Sequence, residues 1–144
     1  MSNGRNNTSP STSNCPRCTN SPWIQRAQQF INQNQSNTDP YIAYRVNVLQ
    51  ELLQRRAFGY CCGVSINDLM QAVRFTQSRE NFQHNVLIPL KREGIIVSLV
   101  YPGNCGAVFI PCDCSDIGNV LEQYINRIES EIENNIRPLI SALR

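Results

Sequence analysis

The sequence has few of the residues on which enzymes, exported proteins and membrane proteins depend. It contains one histidine, and it shows no paired-acid signature, glycine-rich phosphate loop or nucleophile motif, so little supports catalysis. The first twenty residues are mostly Asn, Ser, Thr and Pro, without the apolar segment of a secretory signal. No apolar run approaches the roughly eighteen residues that a membrane span needs. We therefore expect a cytoplasmic protein that is not an enzyme.

Seven cysteines are many for a chain of 144 residues. Their odd number, together with the missing export signal, argues against a disulfide framework. We expect no obligatory cofactor, but zinc, an iron–sulfur cluster, oxidation near the end of the hairpin, and plain thiols or small core residues all remain open. The cysteines whose spacing makes them candidate metal ligands are Cys15, Cys18, Cys112 and Cys114.

Charge is distributed unevenly along the chain. Residues 1–111 carry ten basic and five acidic side chains, which is a net charge of +5. Residues 112–144 carry three basic and six acidic side chains, a net charge of −3. A basic body and an acidic tail are typical of a protein whose body meets a polyanion, although a mildly polarised ordinary surface would look the same.

Hydrophobic periodicity divides the chain into three parts. Residues 1–20 have little to bury, which predicts a disordered arm. Residues 21–111 show helical and then strand periodicity, which predicts one compact domain. Residues 112–144 form a further, mostly helical segment. The fold class expected is mainly α with a small β-hairpin.

Capping and turn signals give the expected elements in order. A helix begins at Ser21-Pro22 and a second begins at Asp39-Pro40, with its stop at Gly59. The remaining expected elements are a short β-prone stretch at 60–64, helices at about 65–74 and 79–93, strands at 95–101 and 107–110, and a helix from Ser115 to about Arg137 with a kink or break at Pro138. Gly94 marks the end of the fourth helix.

The last helix carries an apolar stripe with four-and-three spacing. At about 1.5 Å per residue it is roughly 35 Å long, which is more than one small domain covers. We therefore predict a homodimer. The residues expected to form its interface are Leu121, Tyr124, Ile128 and Ile132.

The order of elements, and above all the stretch Leu87-Ile-Pro-Leu90-Lys-Arg-Glu-Gly94-Ile-Ile96, resembles winged helix-turn-helix bacterial regulators. That stretch is similar to the Leu-x-x-Leu-x-x-x-Gly-Leu-Ile pattern at the end of their recognition helix. The layout, in which a C-terminal dimerisation helix follows the wing, is similar to that of PadR-like, MarR-like and small MerR-like repressors. The resemblance does not single out one of these subfamilies. Pro89 departs from the pattern because it removes one helical hydrogen bond.

The resemblance implies a sequence-specific DNA-binding regulator, most simply a repressor, with the helix at 79–93 in the major groove. Its core face is formed by Phe82, Val86 and Leu90, so the opposite face would read DNA. The residues expected to contact double-stranded DNA are Arg74, Ser78, Arg79, Asn81, His84, Asn85, Lys91 and, at the wing turn, Asn104. The alternatives are a winged-helix protein-interaction or replication module, and a cysteine-based metal- or redox-responsive regulator.

Overall fold

The computed structural model describes residues 21–99 and 107–144. The chain divides into two compact units, the first ending at Asp113 and the second comprising Cys114–Arg144. The fold is mainly helical, with a small two-stranded antiparallel hairpin and a long C-terminal helix. This confirms the class expected from the sequence.

Five helices and two strands make up most of the described chain. The first unit contains α1 (Pro22–Gln33), α2 (Pro40–Gln54), a 3-10 turn (Tyr60–Cys62), α3 (Ile66–Ala72), α4 (Arg79–Phe82, Gln83–Leu87 and Ile88–Arg92 in succession), β1 (Val97–Leu99) and β2 (Ala107–Phe109). The second unit is α5 (Cys114–Glu131, Ile132–Ile136 and Arg137–Ala142 in succession). The middle segments of α4 and α5 are π turns, in which the helical hydrogen bond spans five residues.

Side-chain caps begin the helices of the first unit where the sequence predicted them. The hydroxyl of Ser21 accepts from the Ile24 N–H at 3.1 Å, and the carboxylate of Asp39 accepts from the Tyr41 N–H at 2.9 Å. Each is followed by proline at the first helical position, where the absent N–H is not needed. The Ser21 hydroxyl also donates to the Pro111 carbonyl at 3.2 Å, which ties the start of α1 to the end of the hairpin.

Three helices end in the same hydrogen-bonding motif, and two of these ends correct the sequence analysis. After α2, the chain turns at Arg56 rather than at Gly59, and α3 ends before Arg74. Arg56 and Arg74 have φ of 54° and 60°, and Gly94 after α4 has φ of 72°. In each case the next N–H reaches back five residues, as in a Schellman motif. Glycine is the residue that most easily adopts a positive φ. At Arg56 and Arg74 the backbone hydrogen bonds hold an arginine in this conformation instead.

The predicted strand at 60–64 is also wrong in part, because residues 60–62 form a 3-10 turn. Val64 nevertheless exchanges two backbone hydrogen bonds with Val108 of β2, at 2.8 and 2.9 Å. The approach is close: a Cβ added at Gly63 would lie 2.9 Å from Cβ of Ala107. The strand after Gly94 begins at Val97, two residues later than predicted, and Ile95 and Ile96 are buried outside it.

The core of the first unit lies between α1, α2, α3, α4 and the hairpin. Phe82 is fully buried and packs against Phe75 in a tilted arrangement, with ring centroids 5.0 Å apart. Phe75 in turn meets Tyr44 of α2 edge-to-face at 4.9 Å. This aromatic chain fixes the turn between α3 and α4, and so sets the direction in which α4 leaves the core.

Candidate nucleic-acid interface

Helix α4 holds most of the predicted DNA-contacting residues, and its N-terminus is built by Ser78. The Ser78 hydroxyl accepts from the Asn81 N–H at 3.1 Å, which satisfies one of the donors that begin every helix. The structure places Arg74, Ser78, His84 and Lys91 at the exposed surface and leaves Arg79, Asn81 and Asn85 half-buried. The predicted wing residue Asn104 lies outside the described residues.

A proline determines the shape of this helix. Pro89 has no N–H to donate to the carbonyl of Asn85, and its ring would collide with that carbonyl in a regular helix. The helix responds by widening: the Ile88 N–H donates to the carbonyl of Gln83, five residues back. The wider turn buries Leu87 beside the expected core residues Phe82, Val86 and Leu90.

The carbonyl of Asn85 is bonded by a side chain from another helix. Nε of Arg45, on α2, donates to it at 2.9 Å, and Arg45 is half-buried. Sequence reasoning did not identify Arg45. The available signal was Pro89, because a proline within a helix predicts a carbonyl, four residues earlier, that has lost its usual donor.

Three amide side chains form a ladder along one side of α4. The amide of Asn85 donates to Oδ1 of Asn81 at 2.6 Å, and the amide of Asn81 donates to Oε1 of Gln77. The ladder orients each amide, and it leaves Oδ1 and one N–H of Asn85 outside it. A bidentate contact with adenine needs one acceptor and one donor from the same amide. Asn85 is therefore better arranged for base reading than Asn81. The sequence analysis did not name Gln77. Its position four residues before Asn81, which is itself four before Asn85, could have indicated that the three amides lie on one side of the helix.

Basic groups lie at both ends of α4. Arg74 and Arg79 flank the N-terminus, where backbone N–H groups also favour an anion. Lys91 and Arg92 lie in the last turn, and partial desolvation lowers the pKa of Lys91. Arg26 of α1 does not belong to these groups, because it donates to the Gly94 carbonyl at 3.0 Å, just past the end of the helix. The surface of α4 can thus offer cations to a polyanion at each end and amides between them.

The predicted dimerisation residues lie along one side of α5. Leu121 and Ile128 are 54% and 57% exposed, and Tyr124 and Ile132 are half-buried. Exposed apolar side chains continue past Pro138, at Leu139, Ile140 and Leu143. The exposed apolar residues of α5 that sequence reasoning did not name as interface residues are Ile125, Ile136, Leu139, Ile140 and Leu143.

Of the kink or break predicted at Pro138, the break does not occur, and the helix is irregular just before the proline. As in α4, a π turn precedes the proline, and the Arg137 N–H donates to the carbonyl of Ile132. The helix then continues to Ala142.

The metal hypotheses for the cysteines receive no geometric support from the described residues, but a disulfide at Cys112 departs from the expectation against disulfides and leaves the oxidation hypothesis open. Cys61 and Cys114 are exposed thiols, Cys62 is half-buried, and none of the three is in a disulfide, whereas Cys112 is disulfide-bonded. Cys15, Cys18 and Cys105 lie outside the described residues. Within residues 21–99 and 107–144, no three His, Cys, Asp or Glu side chains come together in a group that could hold a metal ion. No helix in these ranges is long and apolar enough to cross a membrane.

The class that emerges is a small, mainly helical protein with a hairpin, a polar helix bearing cations at both ends, and a long amphipathic tail helix. The chain is 46% identical over 141 residues to "Putative control protein C.MjaVP" of Methanocaldococcus jannaschii, with 91% of this chain and 88% of that protein covered. The chain belongs to the same family as this control protein. No family model and no solved structure matches it.

Proposed function

We propose that this protein is a DNA-binding transcriptional regulator that binds operator DNA as a homodimer. The observation that carries the proposal is the family membership: the relative is described as a control protein, a name that fits a regulator rather than an enzyme. The solvent-facing side of α4 supplies the chemistry, since it combines cations with an oriented amide and an exposed imidazole. Repression is the simplest output, because a protein that occupies an operator needs no further module.

A winged-helix arrangement fits the described elements. Helices α3 and α4 contact one another across a short turn, and the hairpin follows α4 directly. Val64, which lies between α2 and α3 in the sequence, pairs with Val108 of β2. In a winged helix a short strand at this position pairs with a strand of the wing in the same way. We propose α4 as the recognition helix in the major groove and the hairpin as the wing.

In this proposal the residues of α4 have two kinds of role. Asn85 and His84 meet base edges, with Asn81 holding Asn85 in place. The residues that meet phosphates or the groove rim are Arg74, Ser78, Arg79 and Lys91. Leu121, Tyr124, Ile128 and Ile132 of α5 join the two copies, so that two recognition helices face two half-sites.

Mobility-shift titrations with the DNA upstream of the protein's own gene, and with random DNA of equal length, test the proposal. His84→Ala and Asn85→Ala should reduce the preference for operator by about 1–3 kcal/mol each. Lys91→Ala should weaken both complexes alike and reduce the salt slope by about one. Gln28→Ala, an exposed polar change on α1, serves as the control.

Unchanged affinity, preference and salt dependence in all three α4 variants would show that this helix does not read DNA. A protein-interaction module would then be the better hypothesis. If the wild-type protein binds operator and random DNA equally well, then DNA is still its partner, but the hypothesis of a sequence-specific regulator is rejected.

A further inference from the structure

We propose that Arg45 is the positioning residue of the recognition helix: through the carbonyl of Asn85 it sets where the base-reading amide stands. The inference rests on the proposed function, because it assumes that α4 reads DNA. Arg45 touches no base in this proposal, and it acts through Asn85.

The contact arises from the chemistry of proline. A regular helix would satisfy the Asn85 carbonyl with the N–H of residue 89, and Pro89 has none. Arg45 donates to this carbonyl from α2 at 2.9 Å. A charged donor in a half-buried setting makes a stronger hydrogen bond than a neutral one. The bond therefore replaces, from outside the helix, the restraint that the proline took away.

Arg45, the donor, belongs to α2, a helix that is packed into the core. The part of α2 that follows Arg45 is fixed by burial, since Val48, Leu49 and Leu52 are fully excluded from solvent. The carbonyl it holds belongs to the central residue of the π turn at 83–87. A π turn changes the rotation of everything that follows it, and such turns occur often at functional sites. The bond thus restrains the part of α4 whose rotation is least determined by the helix itself.

Fixing the backbone of Asn85 also fixes its side chain. The Asn85 amide is already oriented by its bond to Oδ1 of Asn81. With the carbonyl held by Arg45, the residue is restrained at two atoms, and its Oδ1 and one N–H take no part in the ladder. A bidentate base contact requires this kind of preorganisation, because a small displacement loses both hydrogen bonds.

Four variants test the role. Arg45→Met keeps the length of the side chain and removes the donor, and Arg45→Lys keeps a cationic donor. Pro89→Ala restores the missing N–H, so that the helix can satisfy Asn85 by itself. The fourth is the double variant of Arg45→Met and Pro89→Ala. Arg26→Met is the matched control, since Arg26 also donates to a backbone carbonyl at α4, that of Gly94 at 3.0 Å, but not at a reading residue.

Arg45→Met should lower the discrimination between operator and random DNA about tenfold, within the range that one base contact contributes. Arg45→Lys should lose less, the double variant should regain most of the discrimination, and Arg26→Met should retain it. A merely structural role would not give this pattern. Equal losses in Arg45→Met and Arg26→Met, equal weakening of both DNAs by Arg45→Met, or no rescue by Pro89→Ala would each overturn the proposal.

A second measurement separates this inference from the proposed function. The NMR signal of the Asn85 side-chain amide should shift in Arg45→Met without DNA, and should return towards its wild-type position in the double variant. An unmoved signal overturns the positioning role even if operator binding is found. A shifted and rescued signal in a protein that discriminates no DNA supports the contact and rejects the regulator hypothesis.

Discussion

Helices α4 and α5 both contain a π turn before a proline, but the turn is partly buried in α4 and largely exposed to solvent in α5. Each has a π turn of five residues that ends two positions before a proline. In α4, Phe82, Val86, Leu87 and Leu90 are buried, and Arg45 bonds the carbonyl four residues before the proline. In α5, the apolar side chains around the turn are largely exposed, with Leu139 at 68% and Leu143 at 88%. A proline follows the widened turn in both helices, and the surroundings decide what the turn serves.

The largest expected difference between the two helices concerns their apolar side chains. Phe82→Ala should cost about 3–5 kcal/mol of unfolding free energy, because it empties a fully buried site. Leu139→Ala should change that free energy by less than about 0.5 kcal/mol, as exposed substitutions do. Denaturant unfolding followed by fluorescence of Trp23, the sole tryptophan, measures the first unit in both variants. A similar cost for both would show that α5 stabilises the first unit.

The next prediction concerns the partner of the exposed stripe on α5. Ile128→Glu should weaken the proposed homodimer by about 2–4 kcal/mol, since it would place a charge inside an apolar interface. Sedimentation at several concentrations should detect monomers, and operator binding should weaken with them. Asn126→Glu, an exposed change on the same helix, is the control and should leave the dimer intact. A wild-type protein that is monomeric at micromolar concentration would contradict the homodimer.

Replacing the two prolines sharpens the comparison directly. Alanine restores an N–H at each position, and proline costs about 3 kcal/mol relative to alanine inside a regular helix. We expect Pro89→Ala to keep the widened turn at 83–87, because a regular turn would rotate buried residues out of the core, while the restored N–H of residue 89 donates to the Asn85 carbonyl. We expect Pro138→Ala to lose its π turn, which rotates Leu139 and Leu143 away from Ile128 and weakens the dimer by about 1–2 kcal/mol.

NMR hydrogen-bond couplings across the two turns measure their geometry, and sedimentation measures the dimer. If Pro138→Ala keeps its π turn and its dimer affinity, then the turn is not a response to proline alone.

The smallest effect is expected at the two arginines with positive φ. Glycine should stabilise each position by about 1 kcal/mol, since it adopts this conformation without a Cβ clash. Arg74→Gly should combine that gain with weaker DNA binding, whereas Arg56→Gly should gain stability alone. Thermal unfolding and mobility-shift titrations give the two readouts. Normal DNA affinity in Arg74→Gly would remove Arg74 from the proposed interface.

The sequence by itself determined where the helices of the first unit begin and which of their faces are buried. Capping by Ser21, Asp39, Ser65 and Ser78 is local chemistry within one turn, so it can be identified from residue type and spacing. The burial of Phe82, Val86 and Leu90 followed from their four-residue spacing for the same reason. The apolar stripe of α5 and the interruption at Pro89 were also evident.

Only the tertiary structure decided how the interruptions were resolved. Helix ends at Arg56 and Arg74 were missed because the signal for such an end is glycine, and here the backbone hydrogen bonds outweigh the cost of a Cβ. A kink or break was expected at Pro138, and the helix instead accommodates the proline with a π turn and continues to Ala142. Pairing of Val64 with Val108 joins residues far apart in sequence, and no local pattern encodes it. The donor to Asn85 likewise comes from α2, forty residues earlier, where packing of one helix against another placed Arg45 beside a carbonyl that Pro89 cannot serve.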